Sequence, residues 1–120
     1  METDIYDRVF QFACRIVRLH RSLTRRRGTH TVLINQLLRS GTAVGSNLEE
    51  AKAAQSKADF IARSRIALKE ARESHYWLRL IAAADCITMN RIEPLVGEAN
   101  EIVAVLTSIV LNTTRNAQHS

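Results

Sequence analysis

Apolar residues recur along this chain at intervals of three and four in four separated stretches, a period that predicts amphipathic helices. In the first, about residues 4–25, Ile5, Val9, Phe12, Ile16, Leu19 and Leu23 line one face, and Arg27-Gly28-Thr29 supplies a glycine C-cap. The second, about 30–54, carries Leu33, Leu37, Gly41, Val44, Leu48 and Ala51 on one stripe. The third, about 57–86, opens with Ser56 three residues before Asp59, an N-cap followed by an acidic N3 residue. The fourth, about 90–114, shows Ile92, Val96, Ala99, Val103, Leu106, Val110 and Thr113, with Pro94 in or near the first turn, where a missing N–H does least damage. Residues 115–120 should fray. The connections are short, so consecutive helices must run antiparallel. The expected fold is all-α: one domain, 1–120, forming an up-down-up-down four-helix bundle.

The second stretch contains a local conflict. Ser40, Gly41, Thr42, Gly45, Ser46 and Asn47 are mediocre or poor helix formers, and each interior glycine costs about 1 kcal/mol relative to alanine. The apolar period nevertheless continues through them. Close packing resolves the conflict: small side chains at Ser40, Gly41, Gly45 and Ser46 let a neighbouring helix approach, and Asn47 then needs hydrogen-bond partners. No GxxxxGK[ST] or GxGxxG is present to make this a phosphate-binding loop.

Composition supports helices and adds charge. The chain is 46% hydrophobic but only 5% aromatic, with a single proline, which disfavours a sheet protein. Its net charge of +5 comes from 17 basic residues, 14 of them arginine, against 12 acidic ones. Arginine favours bidentate phosphate contact, so a nucleic-acid or phosphate partner gains weight. No uninterrupted apolar run nears the ~18 residues of a membrane span, and METDIYDR is acidic where a signal peptide is basic, so the expected location is the cytoplasm. Cys14 and Cys86 form no CxxC and read as buried free thiols.

The cationic residues are organised. Arg65, Lys69, Arg72, Tyr76 and Arg79 follow one another at steps of four, three, four and three, which aligns them on one helix face for about 20 Å. Such a stripe can contact successive phosphates while tyrosine stacks on a base. It could equally be a solvated face relieved by Glu70 and Glu73. The first helix adds Arg8, Arg15, Arg18, Arg25, Arg26 and Arg27. A second apolar flank on the third helix, Ile66, Trp77 and Ile81, lies about 100° from its core stripe and reads as a subunit interface.

Enzyme chemistry finds little support. A di-metal bundle needs Glu-x-x-His on two helices, and none of His20, His30, His75 or His119 has Glu three residues before it. Glu49 and Glu50 are adjacent and cannot act as a pair on one face. His75 lies with Leu68, Ala71, Leu78 and Ala82 and reads as a core histidine. The expectation is no catalysis, no cofactor and no metal.

The stretch RSGTAVGSNLEEAKAAQSKADFIARSRIALKEARESHYWLRL, Arg39 to Leu80, resembles the signature of the 23S rRNA intervening-sequence proteins, and the resemblance spans roughly residues 5–115. It implies a cytosolic homopentamer of four-helix bundles without catalytic activity. More distantly the chain is similar to the accessory variability protein of diversity-generating retroelements, which implies RNA and DNA binding beside a reverse transcriptase. The expected function is thus an oligomeric scaffold that binds nucleic acid, RNA favoured. The alternative is a protein-interaction module whose arginines serve solubility.

Overall fold

Four helices in a computed structural model account for almost every residue it describes, which are 4–26, 30–84 and 89–119, with side chains from 90 to 118 in the last span. They are α1 (Ile5–Thr24), α2 (Thr31–Lys52), α3 (Lys57–Ala84) and α4 (Met89–His119). No strand occurs among the described residues. The proposed C-cap at Arg27-Gly28-Thr29, and Cys86 at the end of the third stretch, lie outside them; Cys14 is a half-buried free thiol.

Helices α1 and α3 start where the sequence supplies a side-chain partner for orphan N–H groups, whereas His30 before α2 makes no such side-chain bond. Asp4 Oδ1 accepts from the Tyr6 N–H at 2.8 Å, and Ser56 Oγ accepts from the Asp59 N–H at 3.1 Å. The α1 core face is Val9, Phe12, Ile16, Leu19 and Leu23, as the period predicts. In α4 the buried row is Ile92, Leu95, Ala99, Ile102, Leu106 and Val110, while Val96 and Val103 are half-buried beside it. The expected stripe was therefore rotated by part of a turn, because both rows obey a heptad and only packing chooses between them.

Two further boundaries differ from expectation. α4 does not fray after Thr114 but continues to His119, and Pro94 sits inside it, beyond the first turn. Within Asn90–Gln118 an 18-residue window reaches a mean hydropathy of 1.5, apolar enough for a membrane span by length and composition. Glu98, Glu101 and the neutral Gly, Ser, Thr and Asn between its aliphatic residues hide this from a search for unbroken apolar runs. In the bundle its inner side is core.

α2 runs unbroken through Ser40–Asn47. Gly41 is buried against Ile16 of α1, so close that a Cβ there would lie 2.9 Å from Ile16 Cγ2. Gly45 faces Val9 less tightly, with 3.4 Å from a Cβ to Val9 Cγ1. On the α3 side, the Ser40 and Ser74 hydroxyls are buried and 3.0 Å apart, and Ser74 reaches the Glu70 carbonyl at 2.8 Å. Ser46 departs from the packing expectation: it is exposed, and its hydroxyl bonds back to the Ala43 carbonyl at 3.2 Å. Half-buried Asn47 likewise satisfies itself within α2, donating to the Ala43 carbonyl at 2.8 Å.

Among adjacent helices α2 and α3 pack most closely and α1 and α4 least, and α1 and α3 stand on a diagonal without close backbone approach. The loose α1–α4 seam holds an open groove of about 870 Å³, lined by Ile5, Arg8, Phe12, Arg15, Glu98 and Val105 among others. The molecule measures 55 × 24 × 24 Å.

Candidate nucleic-acid interface

Along α3, the core takes Ala67, Leu68, Ala71, Ser74, Leu78, Ile81 and Ala82, which leaves Arg65, Lys69, Arg72, Tyr76 and Arg79 on the outside. All five are exposed, and Tyr76 shows 52% of its surface. Its ring meets Trp77 edge-on, with centroids 5.3 Å apart and an interplanar angle of 71°, so one tyrosine face stays open to solvent-side partners.

The acids that could neutralise this stripe are engaged elsewhere. Arg39 of α2 reaches across the interface to Glu70 Oε2 at 3.1 Å and Glu73 Oε2 at 2.6 Å, and Gln36 steadies its Nε at 3.1 Å. The hydrogen bond from Arg39 holds the Glu73 carboxyl below its ordinary range, whereas burial, with Glu73 beside it, pushes Glu70 up. Lys69 acts on Glu73 only through space. No ion pair to Arg65, Lys69, Arg72 or Arg79 occurs among the described residues. The charge relief expected from Glu70 and Glu73 is thus directed to α2. Arg79 does touch one titratable neighbour electrostatically: burial, then Arg79, depress the pKa of half-buried His75.

The arginines of α1 divide. Arg8 is committed to α4, with Nε and Nη2 on the two Glu98 carboxylate oxygens at 2.9 and 2.7 Å and Nη2 also on Glu101. These bonds raise its pKa further, and an arginine so held has little left for a phosphate. Arg8 is therefore withdrawn from the predicted binding set. Arg15 is half-buried and Arg18 exposed, and both line a smaller cleft on the same seam together with Arg91 of α4. Arg25 caps α1 and Arg26 follows it, both exposed, while Arg27 lies outside the described residues. Since α1 and α3 are diagonal, the two basic surfaces do not merge into one.

The expected subunit interface also changes. Ile81 is 0% exposed and belongs to the chain's own core, and half-buried Trp77 packs on the core's margin. Only Ile66, 40% exposed, keeps substantial free surface. The reason is that α3 contacts both α2 and α4, so its apolar arc is wider than a single neighbour requires. Trp77 Nε1 is sealed from solvent with no acceptor among the described residues. Exposed apolar side chains occur instead at Phe10 and Val17 on α1 and Leu111 on α4. Phe10 and Val17 are seven apart, a spacing that puts them on one outward line, and that signal was open to sequence inspection. Among the described residues, no group of three His, Cys, Asp or Glu is placed to hold a metal.

Comparison with known proteins places this arrangement. A crystal structure of a protein of unknown function from the S23 ribosomal protein family of Bacteroides thetaiotaomicron VPI-5482 is 42% identical, with a TM-score of 0.83 over 89% of this chain and 98% of its own. No curated protein matches. The sequence profile of the 23S rRNA-intervening sequence proteins matches residues 1–108, nearly the whole bundle, and the chain belongs to that family.

Proposed function

We propose that this protein is a non-enzymatic scaffold that binds nucleic acid, RNA favoured, through the α3 stripe, and that it acts as a homo-oligomer in the cytoplasm. The carrying observation is that Arg65, Lys69, Arg72 and Arg79 form no ion pair among the described residues around exposed Tyr76, because Arg39 holds both nearby glutamates. The family's name connects it with ribosomal RNA, which favours RNA over DNA. Exposed Phe10, Val17, Ile66 and Leu111 support self-association, and the number five comes from the family resemblance. A place within a ribonucleoprotein, or beside a reverse transcriptase, follows from the resemblance to retroelement accessory proteins.

The test is fluorescence anisotropy with single-stranded RNA and duplex DNA across a salt series. Affinity should fall with salt at a log–log slope of about −0.9 per phosphate neutralised on a duplex and about −0.7 on a single strand. The triple variant Arg65→Glu, Arg72→Glu, Arg79→Glu should lose binding while light scattering reports the same oligomer. Unchanged affinity in that variant removes α3 as the surface. The same exposed apolar residues also favour a second reading, a module that docks another protein; a partner recovered equally with and without nuclease treatment would select it.

A further inference from the structure

Three arginines line one opening on the α1–α4 seam. Arg15 and Arg18 of α1 and Arg91 of α4 line an open cleft of about 250 Å³ floored by Leu19, Pro94 and Leu95. Arg91 is tied to α1, its Nη2 donating to Ser22 Oγ at 2.7 Å. None of the three arginines meets a carboxylate among the described residues. Of the seam's carboxylates, Glu98 and Glu101 are held by Arg8, and Glu98 and Asp4 border the neighbouring groove that Arg15 also lines. Glu93 lies two residues from Arg91 and so about 200° round α4, facing away from the cleft. Three like charges held round one opening repel each other, and the positive end of α4, two residues before Arg91, adds to the same field. An anion bound there is attracted by each arginine and by the helix end, and offsets their mutual repulsion.

From this geometry we infer that the Arg15–Arg18–Arg91 cleft is a binding site for a single phosphate monoester dianion. Size and layout select that ligand. The cleft is open and smaller than the ~300–1,000 Å³ of pockets that enclose drug-sized molecules, so a phosphate group fits while the remainder of any larger ligand stays in solvent. Three arginines that line one small cleft match a compact dianion, whereas a stripe drawn out over about 20 Å matches a polymer backbone. The dianion can be free inorganic phosphate or the terminal phosphate of a strand. The inference rests on the nucleic-acid reading only for the second source.

Arginine Nε–H spectra of the full-length protein, titrated with inorganic phosphate at constant ionic strength, test the site. Signals of Arg15, Arg18 and Arg91 should move together to saturation while those of Arg65 and Arg72 stay. Arg91→Gln and, separately, Arg18→Gln should each weaken the midpoint about tenfold, as expected for one charge-assisted hydrogen bond. No saturation, or equal movement of the α3 arginines, overturns the site. Two oligoribonucleotides of one sequence, with a 5′-phosphate and a 5′-hydroxyl, identify the source. A preference for the 5′-phosphate that Arg91→Gln abolishes assigns the strand terminus; equal binding of the two, with phosphate saturating the cleft, assigns the free anion. Phosphate saturation without binding of either oligonucleotide keeps the cleft and refutes the nucleic-acid function. Binding of both oligonucleotides through α3 without phosphate saturation does the reverse.

Discussion

Gly41 should be the one described glycine that cannot become alanine without cost, and its neighbours set the size of that cost. Alanine gains about 1 kcal/mol of helix propensity. Its Cβ would meet Ile16 Cγ2 at 2.9 Å, Cγ1 at 3.0 Å and Cβ at 3.3 Å. Those atoms cannot swing aside, because Ile16 is fully buried and a β-branched residue in a helix has essentially one rotamer. Helix α1 must back away, which costs about 1–3 kcal/mol as overpacking, so the net loss reaches about 2 kcal/mol. Gly97 provides the control: nothing lies within 4 Å of a Cβ there, so alanine should give the full propensity gain. Gly45, with its nearest contact at 3.4 Å, should behave like Gly97. Urea denaturation with a shared m-value measures all three as shifts in midpoint. Combining Gly41→Ala with Ile16→Ala should be markedly less harmful than the sum of the two, since each change makes room for the other. A Gly41→Ala protein at least as stable as the wild type would refute the close-contact account of this stretch.

Three further outcomes are expected. Arg39→Met should lower stability by about 1 kcal/mol and weaken nucleic-acid binding several-fold, since Glu73 becomes free to pair with Lys69; unchanged urea midpoint and unchanged anisotropy would show that the clasp does neither. His75 has a folded pKa below its ordinary 6.5, so the unfolded chain takes up the proton first as pH falls. Stability is therefore full above that value and declines as pH drops from it toward the folded pKa, and His75→Gln should flatten this part of the urea-midpoint curve; superimposable curves would count against it. Trp77→Phe removes a sealed N–H that has no acceptor among the described residues, which offsets the lost ring area and should leave stability within about 1 kcal/mol of wild type. A loss above about 2 kcal/mol would mean that the indole N–H has a partner after all.

How much of this was legible in advance depends on the distance in sequence between the interacting groups. The four helices were readable because a period of three and four residues is a local property, and Asp4 and Ser56 sit next to the N–H groups they cap. The stripe on α3 was readable for the same reason. What neutralises it was not, because Arg39 lies 31 and 34 residues before Glu70 and Glu73. Arg8 looked free until α4 placed Glu98 and Glu101 beside it, 90 and 93 residues away. Ile81 looked like an interface residue because it lies about 100° from the core stripe, yet α3 packs on both α2 and α4 and its buried arc is wide enough to include it. The convergence of Arg91 on Arg15 and Arg18 has no sequence signal at all; it depends on the crossing of α1 and α4.

On the nucleic-acid reading, the diagonal placement of α1 and α3 gives the molecule a valence. A protein with one cationic face can only coat a strand. One that also carries, on the diagonally opposite side, a cleft for a terminal phosphate can hold a strand and a strand end at a separation set by its own thickness, 24 Å. Once the first segment is bound, capture of the second is governed by effective concentration, so a long RNA folded back on itself is gripped more firmly than two short ones. Bridging of this kind peaks when protein and strand are balanced and dissolves when protein is in excess, because every segment then finds a partner of its own.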